Sequence, residues 1–100
     1  LKTLNFEIID PGTLSFNDQI RFFRSADIII APHGAALSNI VWCNQNTKII
    51  ELNGDKDVRW HFAKVAYALK NNHIIITGKT INSIYFETPI NAIAKILNNL

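Results

Sequence analysis

The stretch Ala31-Pro32-His33-Gly34-Ala35-Ala36-Leu37-Ser38-Asn39 follows directly on the apolar run Asp27-Ile28-Ile29-Ile30. A histidine and a glycine therefore stand where a buried strand ends. Beyond Ile30 the chain must turn from strand to helix. Pro32 lacks the N–H that continues a ladder, and Gly34 permits a tight bend and close approach of a ligand to the backbone. The amides of Gly34, Ala35 and Ala36 then head a helix with no carbonyl to receive them. Such a terminus carries partial positive charge and suits a phosphate or diphosphate. His33 adds a side-chain donor to the same anion, and the small Ala35 and Ala36 leave room for it. Glu51 closes a second apolar run on the same edge, where a carboxylate either accepts both hydroxyls of a ribose or stands solvated at a strand end. Ser38 and Asn39 lie one turn into the helix, where side chains reach the ligand or pin neighbouring loops; pinning suits Asn39 better. Spacing alone does not separate this reading from a capping turn with a surface histidine, because neither GxGxxG nor GxxxxGK[ST] is present.

The elements that must position these residues are legible as two alternating periodicities. Phe6 to Ile9 reads as a short strand stopped by the turn formers Asp10-Pro11-Gly12-Thr13. Ser15 followed by Asp18 resembles a capping box, and Phe16, Ile20 and Phe23 recur on one face of a helix of about ten residues. A strand over Asp27 to Ala31 follows, then a short helix over Ala35 to Trp42 with Leu37, Ile40 and Val41 inward, then a strand over Lys48 to Leu52 broken by Asn53-Gly54-Asp55. Val58 to Lys70 repeats the helical spacing, and His73 to Thr77 reads as a strand closed by Gly78. After the ambiguous stretch 79–87, Thr88 is placed to cap a helix with Pro89 at its first position and Ile90, Ile93, Ala94 and Leu97 inward.

The order β-α-β-α-β-α-β-α, with isoleucine-rich strands apolar on both faces, predicts an α/β fold: a parallel sheet covered by helices on each side. Right-handed crossovers place the strand carboxyl ends along one edge, and ligands of open α/β sheets bind outside that edge. One hundred residues with 48% hydrophobic content make one domain rather than a disordered chain. A net charge of +2, scattered without runs, provides no footprint for nucleic acid or an anionic membrane. The single Cys43 excludes an internal disulfide and has no base nearby in sequence, and His33, His61 and His73 lack metal-ligand spacing. No metal site and no nucleophile are expected. A start at Leu1 and the lack of any methionine read as one domain of a longer protein.

From Leu14 to Leu52 the chain resembles the signature of glycosyltransferase family 61: a helix ending in F-R-x-A, a strand, P-H-G-A-x-L-[ST]-N, and a second strand ending in Glu. Here these are Phe23-Arg24-Ser25-Ala26, Pro32-His33-Gly34-Ala35-Ala36-Leu37-Ser38-Asn39 and Ile49-Ile50-Glu51-Leu52. Gln45-Asn46 stand where the family pattern has Pro-Gly, a difference confined to the loop before the second strand. The resemblance implies a Rossmann-like open sheet forming the C-terminal half of a GT-B architecture, with residues 1–100 as its nucleotide-sugar (donor) domain. It further implies an inverting hexosyl- or pentosyltransferase, as in polysaccharide biosynthesis. The hydroxyl acceptor, on a glycan or a protein, would be held by an N-terminal domain outside these residues, and the isolated domain is expected to be inactive. On this reading His33 is the catalytic contact to the departing diphosphate, while Gly34, Ala35, Ser38, Asn39 and Glu51 bind the donor. No cofactor is expected, since the absence of Asp-x-Asp fits metal-independent transfer, and neither a general base nor a compartment is assigned. Gln19 and Arg24 match the pattern from structural positions, and Trp60 and His61, at a helix start on the same edge, either flank a base or sugar or pack, with packing favoured.

Other classes fit less well. A receiver-like domain needs an acidic cluster that Asp10 and Asp27 do not make, and a serine hydrolase needs a G-x-S-x-G elbow that is absent. A non-catalytic Rossmann-like binding or interaction module remains the alternative.

Overall fold

The isoleucine-rich runs form strands because β-branched side chains suit a pleated surface covered on both sides. In the computed structural model, which describes residues 6–56, 58–82 and 85–99, three of them make a parallel sheet in the order β1 (Ile28–Pro32), β2 (Lys48–Gly54), β3 (Asn72–Gly78). The register sets Ala31 and Ile75 on either side of Glu51, and Ile49 beside His73. Three α-helices accompany the strands: α1 (Phe16–Ser25), α2 (His61–Ala68) and α3 (Ile90–Asn98). The segment Ala35–Trp42 is a 3₁₀ helix.

Strand alternation divides the core in two. Ile50, Leu52 and Ile76 face Ile93 and Leu97 of α3, with Ile28, Ile30 and Ile74 packed beside them. Ile49, Ile29 and Ala31 face the opposite layer, made of Leu37 and Ile40 of the 3₁₀ helix, Phe62, Val65 and Ala66 of α2, and Phe23 of α1. The expectation of an α/β sheet with helices on both faces is met. Leu37, Ile40, Ile49 and Ile50 are completely buried, and such burial contributes about 1.5–3 kcal/mol per side chain. That packing holds the 3₁₀ segment, a poor element in isolation, against the sheet.

Several boundaries differ from the sequence expectations, each for a local reason. Phe6 to Ile9 is not a strand: it has no ladder partner among the described residues, and Ile8 is 99% exposed. The following turn forms as expected, with Asp10 Oδ1 accepting from the Gly12 amide at 3.0 Å and a 3₁₀ turn at Pro11–Thr13. α1 starts as predicted, Ser15 Oγ accepting from the Asp18 amide at 3.2 Å. β1 runs through Pro32 rather than ending before it. The His33 amide donates to Leu52 O at 2.9 Å, so the missing proline N–H falls on the open outer edge of β1, where no ladder bond is lost. β2 continues through Asn53 and Gly54 because Thr77 and Gly78 of β3 pair with them. Winding at three residues per turn stacks Leu37 over Ile40 and turns Val41 outward, 47% exposed, with Asn39 inward in its place.

α2 is shorter than the periodic stretch. It begins at His61, where Trp60 supplies no side-chain cap, and ends before Lys70, whose φ of 62° stops the helix. α3 begins one residue later than predicted: Pro89 occupies the cap position without a side-chain bond, and Ile90 is exposed rather than in the core. Thr80 and Phe86 of the ambiguous stretch form an isolated antiparallel bridge. Among the described residues no helix is long and apolar enough to cross a membrane.

Candidate functional site

The site begins with the central strand. Glu51 and Asn53 point to the same face of β2 as Ile49, and the register brings His73 of β3 beside them. His33 follows the last residue of β1, so its ring reaches the same place from the other side. Glu51 is 0% exposed. A carboxylate removed from water is costly unless its oxygens are hydrogen-bonded, and here both are. Oε2 receives His33 Nδ1 at 2.5 Å and Asn53 Nδ2 at 3.1 Å, and Oε1 receives His73 Nε2 at 2.8 Å. An ionised carboxylate only accepts, so each facing ring nitrogen carries the proton. The two histidines address different oxygens rather than converging on one point, and among the described residues no His, Cys, Asp and Glu are grouped to hold a metal ion.

His33 is thereby held in one tautomer. Its side chain is 19% exposed, and its ring packs at 5.0 Å from the Phe62 ring and 5.8 Å from the His61 ring, centroid to centroid. With Nδ1 committed to Glu51, Nε2 is the nitrogen left for chemistry outside the fold. This is the way a buried carboxylate orients an imidazole in general acid–base sites. The amides of Gly34, Ala35 and Ala36 lie next in the chain, and among the described residues no carbonyl accepts them. Gly34 has φ 173° and ψ 173°, an extended conformation open to any residue, so the bend does not require glycine. A Cβ built there would meet nothing nearer than Pro32 O at 3.9 Å, which leaves space in front of the backbone.

The other predicted residues divide between mouth and support. Ser38 is exposed, its Oγ donating to Ala35 O at 2.7 Å. Asn39 is buried and donates from Nδ2 to Gln19 Oε1 and to Ala36 O, both at 3.1 Å, while Gln19 Nε2 donates to Pro11 O at 2.8 Å. These bonds tie the 3₁₀ helix to α1 and the turn before it, which is the pinning arrangement. Glu51, expected at the ligand edge, lies beneath His33 instead, its oxygens engaged by protein donors. Arg24 takes part through its backbone, its carbonyl accepting from Asn44 Nδ2 at 3.3 Å. Trp60 and His61 are exposed rather than packed, and His61 joins the site through its ring contact with His33. Burial pushes the Cys43 thiol up to about 11, against a smaller opposing effect of the Thr47 hydroxyl bond, so it stays protonated and unreactive at neutral pH.

Sequence reasoning missed His73 and Asn53. Asn53 looked like a turn former, and His73 lies 22 residues from Glu51. Only the parallel register, in which alternate residues of β2 and β3 share a face, puts them on one carboxylate.

The P-H-G-A motif at Pro32 to Ala35 lies inside the stretch matched in comparison with known proteins. Residues 1–50 match the family described as Glycosyltransferase 61. A beta-1,2-xylosyltransferase of Arabidopsis thaliana is 40% identical over 53 residues, which are 53% of this chain and 10% of that protein. The beta-1,2-xylosyltransferase RCN11 of Oryza sativa subsp. japonica is 30% identical over 54 residues, 54% of this chain and 10% of that protein. The match spans about a tenth of the length of these curated relatives. No solved structure matches. With its motif and half of its length inside the family pattern, the chain belongs to glycosyltransferase family 61.

Proposed function

We propose that this chain is the donor-binding part of an inverting glycosyltransferase, the C-terminal half of a GT-B arrangement, and that it holds the diphosphate of a nucleotide sugar at His33 and the amides of Gly34, Ala35 and Ala36. The observation that carries this reading is an oriented histidine, its outward nitrogen uncommitted among the described residues, beside three backbone donors that no carbonyl of those residues receives. A diphosphate supplies acceptors for all of them, and the space in front of Gly34 admits it. The Ser38 hydroxyl lies close enough in the chain to add a further contact, with Asn39 and Glu51 supporting from behind. Both relatives are xylosyltransferases, which favours a pentose, xylose, as the sugar moved.

In the transfer, an acceptor hydroxyl oxygen attacks the anomeric carbon from the face opposite the donor diphosphate. The new C–O bond forms as the bond to the diphosphate oxygen breaks, and the hydroxyl proton passes to a base supplied with the acceptor. Charge then grows on the leaving phosphate. As the donor binds, His33 Nε2 takes up a proton from solvent and donates it in a hydrogen bond to that oxygen, while Glu51 accepts Nδ1–H. Preorganised donors at developing charge are worth about 2.7–4 kcal/mol each in comparable sites. No metal is needed on this reading.

The test is titration of the protein with nucleoside diphosphates, nucleotide sugars and inorganic diphosphate, followed through backbone amide shifts. Gly34 to Ser38 should respond first. Gly34→Ala should bind all of these ligands more weakly without loss of stability, since its Cβ enters open space. Glu51→Gln should weaken nucleotide and inorganic diphosphate alike if it acts through His33, and nucleotide alone if it grips a ribose. Shifts confined to residues 85–99 would refute the site.

A further inference from the structure

The carboxylate that orients His33 is itself free to rotate unless something holds its far oxygen. Glu51 is joined to the backbone by three rotatable bonds, and Asn53 engages the same oxygen as His33, not the other. Oε1 has one recorded partner among the described residues, His73 Nε2 at 2.8 Å. The His73 side chain is only 7% exposed and belongs to β3, so it is anchored by the sheet rather than by a loop. His33, in contrast, stands on the loop leaving β1, where its ring needs external support to keep one orientation.

We propose that His73 is a positioning residue: by donating Nε2–H to Oε1 it locks the Glu51 carboxylate so that Oε2 faces His33 Nδ1, and so holds His33 Nε2 towards the mouth formed by Gly34 to Ala36. The inference rests on the reading of His33 as the group that meets the diphosphate. It makes the site a relay across all three strands, from β3 through β2 to the end of β1. His73 touches no substrate and transfers no proton in the reaction. Its effect is to keep one imidazole tautomer and one ring orientation populated before the donor arrives, as outer hydrogen-bond partners do for ligating histidines elsewhere.

Three variants of the intact protein test this. His73→Phe keeps a ring and removes the donor. His73→Asn keeps an amide that stops one bond short of Oε1. His73→Gln places an amide N–H close to the position of Nε2. Nitrogen-15 spectra of the imidazoles report which His33 nitrogen is protonated, and steady-state kinetics report transfer. In wild type and in His73→Gln, His33 should keep its proton on Nδ1. In His73→Phe and His73→Asn, His33 should become a mixture of tautomers, and kcat/KM for the donor should fall by about tenfold or more. Should His73→Phe fail to fold, His73→Asn carries the same expectation. Unchanged His33 signals in the folded variants would overturn the proposal, as would a His73→Gln variant no better than His73→Asn. If the wild-type protein neither bound a nucleoside diphosphate nor transferred sugar, the functional reading would fall while the tautomer measurement still decided the role of His73.

Discussion

Replacing Glu51 by leucine tests whether the buried carboxylate is the acceptor on which its neighbours depend. Leucine fills nearly the same volume, so no cavity opens, and what changes is the loss of both oxygens. His73 Nε2–H, on a side chain 7% exposed, and the Asn53 amide, on a residue 2% exposed, are then left without an acceptor and without water. Each buried donor so stranded costs about 1–3 kcal/mol. The two together predict a loss of about 2–6 kcal/mol, a large part of the roughly 5–15 kcal/mol typical of a domain. His33, partly exposed, adds less because water reaches it. Urea denaturation followed by the fluorescence of Trp42 and Trp60 measures this, with a lower midpoint at unchanged slope as the expected result. Adding His73→Leu to Glu51→Leu should restore part of the loss, because a donor is then removed together with its acceptor. A Glu51→Leu protein within about 0.5 kcal/mol of the parent would refute the network.

His33→Ala should lower kcat of the intact enzyme by roughly ten- to a thousandfold, and cost about 1.5–3 kcal/mol for the charged hydrogen bond lost to Glu51; a folded variant with normal turnover would contradict it. Gly78→Ala should lower the melting temperature, since its Cβ would lie 1.8 Å from Glu87 O and the backbone must move, a kind of overpacking that costs about 1–3 kcal/mol or more. The Cys43 thiol should alkylate slowly at neutral pH and faster only as pH approaches about 11, measured by mass spectrometry. Because burial raises this acid above its ordinary value of 9.0, its contribution to stability is complete below that value and is lost as pH rises towards about 11. A rate already at its maximum near neutral pH would show an exposed thiol.

Much of the molecule is determined by short-range features that a sequence carries openly. Runs of isoleucine bounded by turn formers become strands. The cap at Ser15 and the spacing of Phe16, Ile20 and Phe23 produce α1, and the P-H-G-A motif marks the strand-to-helix turn that carries His33. Strand, helix and turn preferences act over a few residues, so they can be read along the chain. Where they failed, a distant partner was deciding. Phe6 to Ile9 has the composition of a strand and no ladder to join; Asn53-Gly54 has the composition of a turn and is held in β2 by Thr77 and Gly78. Val41 is apolar yet faces solvent because packing against Ile49 and Ala66 selects the three-residue repeat of Leu37 and Ile40. The Glu51 network belongs to the same class. A carboxylate at a strand end can meet water, a ribose or a protein donor, and nothing within a few residues of it decides which. The parallel register places His73 and the end of β1 on the same face of the sheet, and burial under the helical layer excludes water. Desolvation then makes hydrogen bonding to those two histidines and Asn53 the condition under which the charge can remain inside the fold.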